Sequence, residues 1–253
     1  MIKKSLTHQT MMMRKRRKTL EKGTSPKTSE KGSALFYILL AVVLFGALSF
    51  TVARGMRGSQ TSTLSSRKAA LAASGILDYA QKIQRAIDQV RRKGCSENNI
   101  SMETPDGLNI NPTAPINKSC HIFSPLGGNV TWSIPQDGVG DNSFWRASSH
   151  SNVQNIGTAK ADLLLYLPSI DKTVCEKINK SANIIRDTIP LENGFSFQPD
   201  WSGSFNDGGP HVISCDGVAP MGACTNKPFA CIDSDVANIY HDKYIFYYVL
   251  IER

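Results

Sequence analysis

Twenty-one consecutive residues without a charge, Ser33 to Ala53, lie between Lys31 and Arg54. As a helix this run, SALFYILLAVVLFGALSFTVA, is roughly 31 Å long at about 1.5 Å per residue, close to the hydrocarbon thickness of a bilayer. A cleaved secretory signal has a shorter apolar core and a small-x-small cleavage site. A buried core helix normally shows a polar stripe, and this run has none. The run therefore predicts a transmembrane helix over residues 33–53.

Charge divides the chain around that run. Residues 1–32 hold ten Lys/Arg against Glu21 and Glu30, and residues 54–93 hold nine against Asp78 and Asp88. Residues 94–253 hold ten basic and seventeen acidic residues. The overall +8 thus describes a basic arm and stalk joined to an acidic head. Nucleic-acid binding calls for a basic face on a folded module, whereas these basic residues flank an apolar span, so no nucleic-acid partner is expected. Eight Lys/Arg fall in residues 12–31 and four in residues 54–73. That bias places the N-terminus in the cytoplasm, the lipid bilayer around 33–53, and the remainder outside the cytoplasm. The first 32 residues are polar and basic with little to bury, and read as a disordered leader in which Met11, Met12 and Met13 offer alternative starts.

All six cysteines, Cys95, Cys120, Cys175, Cys215, Cys224 and Cys231, follow the apolar run. An even number on one side indicates an oxidising compartment and up to three disulfides. Fifteen full pairings are open. Zinc is disfavoured, because the close C-x-x-C type of spacing is missing.

Helical character continues past the apolar run. Residues 54–93 contain no proline, and Ile76, Ala80, Ile83, Ile87 and Val90 recur at steps of four and three, one apolar stripe of a helical stalk. The stripe is too short for a coiled coil and is expected to pack on the chain's own head. Gly94 is a helix stop. From 94 onward, turn signals separate short apolar runs. Strands are expected at Asn129–Ile134, Ala161–Leu167, Phe195–Gln198, His211–Ser214 and Lys243–Ile251, and a helix at Ile170–Lys180 capped by Ser169. The fold class expected is α+β: a long N-terminal transmembrane helix continuing as a stalk, packed on a mostly antiparallel, disulfide-bonded head over 94–253.

The basic leader, the Lys31-Gly32 junction and the apolar run opening Ser33-Ala34-Leu35-Phe36-Tyr37-Ile38 together resemble the type IV pilin superfamily, including the pseudopilins of type II secretion. The resemblance implies cleavage after Gly32 by a prepilin peptidase and methylation of the new amine of Ser33. It implies other pilin-like subunits as partners and residence in a bacterial inner membrane, with the C-terminal domain periplasmic or extracellular. Most members carry a glutamate at the fifth mature position, which helps a subunit join a growing filament. Here that position is Tyr37, which brings a hydroxyl rather than a carboxylate, so the resemblance implies a minor or tip subunit. Short cysteine-closed loops near the C-terminus are common in the family, which favours Cys215–Cys224. Cys95 ends the helix, so a bond to Cys120 would pin the first head loop there, leaving Cys175–Cys231.

Motifs for catalysis are missing: no G-x-S-x-G, Walker A, H-E-x-x-H, S-x-x-K or EF-hand pattern occurs. His8, His121, His150, His211 and His241 are scattered. Two acidic loops, Asp137 to Asn142 and Asp233 to Asp235, lack a full calcium ligand set and read as turns. Trp132, Trp145 and Trp201 read as core. No metal and no cofactor is expected. The function expected is a structural, non-catalytic pilin-like minor subunit of a type IV pilus or type II secretion-type assembly. A membrane-tethered periplasmic binding protein is the first alternative, and a periplasmic enzyme on a signal anchor the second.

Overall fold

The computed structural model describes residues 33–135, 139–140, 144–195, 200–216, 222–234 and 244–253, with the side chains of 33–34 and 51–64 outside that description. The chain forms two compact units, Met1–Met56 and Arg57–Arg253. One helix, α1 (Ser33–Arg92), contributes to both.

In the second unit α1 is a layer of the domain. Ala69, Ala73, Ile76, Ala80, Ile83, Ile87 and Val90 are buried, the helical spacing that puts one stripe against a core. Each buried isoleucine contributes about 1.5–3 kcal/mol. Gly94 ends the helix. Its φ of 96° turns the chain into the left-handed region, and Cys95 N–H then donates to Val90 O five residues back.

A six-stranded sheet lies against this stripe. Its strands are β1 (Arg146–Val153), β2 (Asp162–Ile170), β3 (Leu191–Glu192), β4 (His211–Ile213), β5 (Phe229–Ser234) and β6 (Tyr244–Ile251), in the order β3-β5-β6-β2-β1-β4. The four central strands pair antiparallel, and both edges pair parallel, β4 on β1 and β3 on β5. The helix α2 (Lys172–Ser181) follows β2 and is tied to β5.

Alternation along the strands sorts two cores. Leu163, Leu165 and Leu167 of β2 and Phe246, Tyr248 and Leu250 of β6 join the stripe of α1. Leu164, Tyr166, Ile245, Tyr247 and Val249 face the other way, with Phe195, Ile213 and Ile232. Both faces of β2 and β6 are covered, so they read as continuous apolar runs rather than alternating ones. Pro168 has no N–H to donate, and the pairing of β2 with β6 is irregular between Leu167 and Ile170. Ser169 there has φ 61°, and a Cβ on Gly140 would overlap its carbonyl, so only glycine fits at 140.

Several expectations need correction. Among the described residues no helix is long and apolar enough to cross a membrane. The described apolar side chains of α1 span Leu35–Phe50, about 24 Å of helix against roughly 30 Å of hydrocarbon. The rest of the expected span lies outside the described side chains. This overturns the transmembrane helix of the expected fold, and with it the single-pass inner-membrane location and topology. The head also differs from the sheet expected on a stalk, because a parallel strand is added at each edge of its antiparallel centre. It is a mixed sheet whose two edges approach each other, with residues of α1 from Ala69 onward built into its core.

Asn129–Ile134 forms no strand. Asn129 takes φ 56°, and the hydroxyl of Tyr79 on α1 occupies the place of a neighbouring strand, accepting from Ser133 N–H at 3.0 Å and donating to Thr131 O at 3.3 Å. The α2 cap is Asp171 rather than Ser169, and it makes no side-chain capping bond. Most of the expected strand Phe195–Gln198 lies outside the described residues.

Candidate assembly surface

The apolar segment of α1 carries no charge between Leu35 and Phe50, and its leucine, isoleucine, valine, phenylalanine and tyrosine side chains are between 47% and 78% exposed. A helix apolar on all sides is stable in water only when other apolar surface covers it. Phe36 and Tyr37 meet edge to face at 6.1 Å. Gly46 has open space where a Cβ would stand, a shallow point in an otherwise bulky surface. Tyr37, at the position singled out in the sequence, is 65% exposed on this segment.

Of the two processing residues, Gly32 lies outside the described residues. Ser33 is the first residue of α1, with its side chain outside the description. The basic leader is likewise outside it.

The six cysteines form three disulfides, Cys95–Cys120, Cys175–Cys231 and Cys215–Cys224. The first pins the end of α1 to the loop where Ser101 and His121 form an isolated parallel bridge. The second fixes α2 to β5, reinforced by Asn179, whose Nδ2 donates to Cys231 O and whose Oδ1 accepts from Cys231 N–H, both at 2.8 Å. The third closes a short loop beside β4.

The remaining candidates do not converge. His121 Nε2 stands 3.3 Å from Glu103, and burial lowers its pKa despite that carboxylate. Burial also lowers the pKa of His150. His8 and His241 are outside the described residues, as are Asp137, Asp141, Asn142 and Asp235. No group of three or more metal-ligating side chains occurs among the described residues. Trp145 and Trp201 are buried; the Trp201 indole N–H donates to Ile100 O, and Trp132 packs on Phe123.

Sequence reasoning missed two buried carboxylates. Glu192 of β3 accepts from His211 Nε2 at 2.8 Å, from Ser214 N–H at 3.0 Å and from Cys215 N–H. Asp162 accepts from Val153 N–H and Arg253 N–H, both at 3.0 Å, and burial pushes its pKa up to about 6. Both bind backbone amides across strand ends and serve the fold. Neither sits in a motif, so no local signal marks them. No family model, no curated protein and no solved structure matches the chain.

Proposed function

We propose that this chain is a structural, non-catalytic subunit of a pilin-like assembly of the type IV pilus or type II secretion kind, present as a minor or tip component. The exposed apolar segment Leu35–Phe50 carries this proposal. Covering it with the apolar helices of other pilin-like subunits removes that surface from water, at about 25 cal/mol per Å² buried. Gly32 and Ser33 would be the site of a prepilin peptidase and of methylation. Tyr37 offers no carboxylate for the contact that adds subunits along a shaft, which favours the start or end of an assembly. The disulfide-bonded domain would then be the part presented to partners.

Photocrosslinking from Val43 in the native host tests this. The expected product joins the chain to a protein with its own apolar N-terminal helix, at far fewer copies than the main subunit of the assembly. Crosslinks confined to lipid or to unrelated proteins would defeat the proposal.

A further inference from the structure

Within the Arg57–Arg253 unit, one face of α1 borders an open groove of about 610 Å³, with the irregular stretch from Gly128 to Pro135 as its opposite wall. That volume is within the range of ligand sites. The helix wall runs from Ala72 to Gln89, about 26 Å, so the groove is elongated.

Its lining has a definite chemistry. Tyr79, half-buried with its ring backed by the buried Trp145 at 5.2 Å, supplies an aromatic surface. The Tyr79 hydroxyl is bonded to Thr131 and Ser133 and so holds the opposite wall. A Cβ on Gly75 would meet nothing within 4 Å. Glycine destabilises a helix interior relative to alanine, and no close neighbour requires it here, so its effect is to keep the groove open. Lys82 and Arg85 line the same wall, three residues apart on one helix face. Both are exposed, and neither has an ion-pair or hydrogen-bonding side-chain partner among the described residues. Asp78, one turn earlier, leaves the wall with a net positive charge.

We propose that this groove binds an extended acidic segment of a partner protein, with a carboxylate meeting Lys82 and Arg85 and an apolar or aromatic side chain lying beside Tyr79. An elongated, open groove with one aromatic surface and a pair of exposed cations selects an extended chain with that pattern of charge. The proposal does not rest on filament assembly and holds for the isolated protein.

The probe is a fluorescein-labelled hexapeptide of alternating glutamate and valine closed by phenylalanine, with a twin in which glutamine replaces every glutamate. Fluorescence anisotropy at low salt should show saturable binding of the glutamate peptide and roughly tenfold weaker binding of the twin. Replacing both cations, Lys82→Glu with Arg85→Glu, should weaken the glutamate peptide by a similar factor. Gly75→Leu should abolish binding with an unchanged or raised Tm, because the new side chain enters open space and favours the helix. The charge reversal decides the matter if Gly75→Leu lowers the Tm. The proposal is overturned by no binding of the glutamate peptide, by equal binding of the twin, or by undiminished binding to the charge-reversed protein.

Discussion

Glu192 of β3 and His211 of β4 stand 2.8 Å apart, although their strands are the opposite edges of the sheet. The same carboxylate accepts from the N–H groups of Ser214 and Cys215, so one buried side chain bridges the edges where no ladder does. The imidazole is also braced by the ring of Phe195, 6.1 Å away.

Glu192→Ala should therefore cost about 2–4 kcal/mol, since two buried N–H groups lose their acceptor. His211→Ala should cost about 1 kcal/mol, because the carboxylate keeps its amide donors. Urea unfolding measures both. Equal costs would mean that the amide bonds contribute little to closing the sheet.

Asp162 makes stability depend on pH. Its pKa rises from 3.8 to about 6, chiefly through burial. The folded state thus holds the proton more tightly than the unfolded chain, and the stabilisation present below about pH 4 is lost as pH rises through 6. Between pH 4.5 and 7 the loss is about 2 kcal/mol. Asp162→Asn should remove that part of the pH dependence while weakening the fold at pH 4.5, because its one amide oxygen can accept from only one of Val153 N–H and Arg253 N–H, and its NH2 group faces the other. Paired denaturation curves for the two proteins at both pH values test the sign.

Loop length ranks the disulfides. The bonds close separations of 56, 25 and 9 residues for Cys175–Cys231, Cys95–Cys120 and Cys215–Cys224. Chain entropy assigns them about 4, 3.5 and 2.5 kcal/mol. Double serine variants, one pair at a time, should lose stability in that order. Cys175–Cys231 also aligns Asn179 with β5, so its loss should loosen the reciprocal amide bonds and raise hydrogen exchange at Cys231 N–H.

The elements legible in the sequence are those whose side chains repeat a clear pattern. The stripe Ile76 to Val90, the stop at Gly94, and the continuous apolar runs of β2 and β6 belong to this group, and each is buried or placed as its pattern requires. β1 was illegible because its sequence, RASSHSNV, is polar, yet Ser148, Ser149, Ser151 and Asn152 are buried in it. Ser149 fits there because its Oγ donates to Ser204 O, a partner 55 residues away that no local pattern announces. Asn129–Ile134 failed for the opposite reason: its apolar alternation suits a strand, but its backbone bonds Ser124, Ile122 and the hydroxyl of Tyr79, 52 residues before Thr131, instead of a strand ladder. The apolar run of α1 was legible as a helix and as a surface needing cover. What covers it is not a local property of the sequence, and the transmembrane expectation outran the described helix for that reason.

The mass of the mature chain from its native host tests the assembly proposal most directly. A pilin-like subunit should begin at Ser33, carry one added methyl group, and show the three disulfides intact before reduction. Gly32→Trp should then leave residues 1–32 attached and abolish crosslinking from Val43 to other subunits. A mature wild-type chain that retains residues 1–32, with an unmethylated amine, would contradict the proposal.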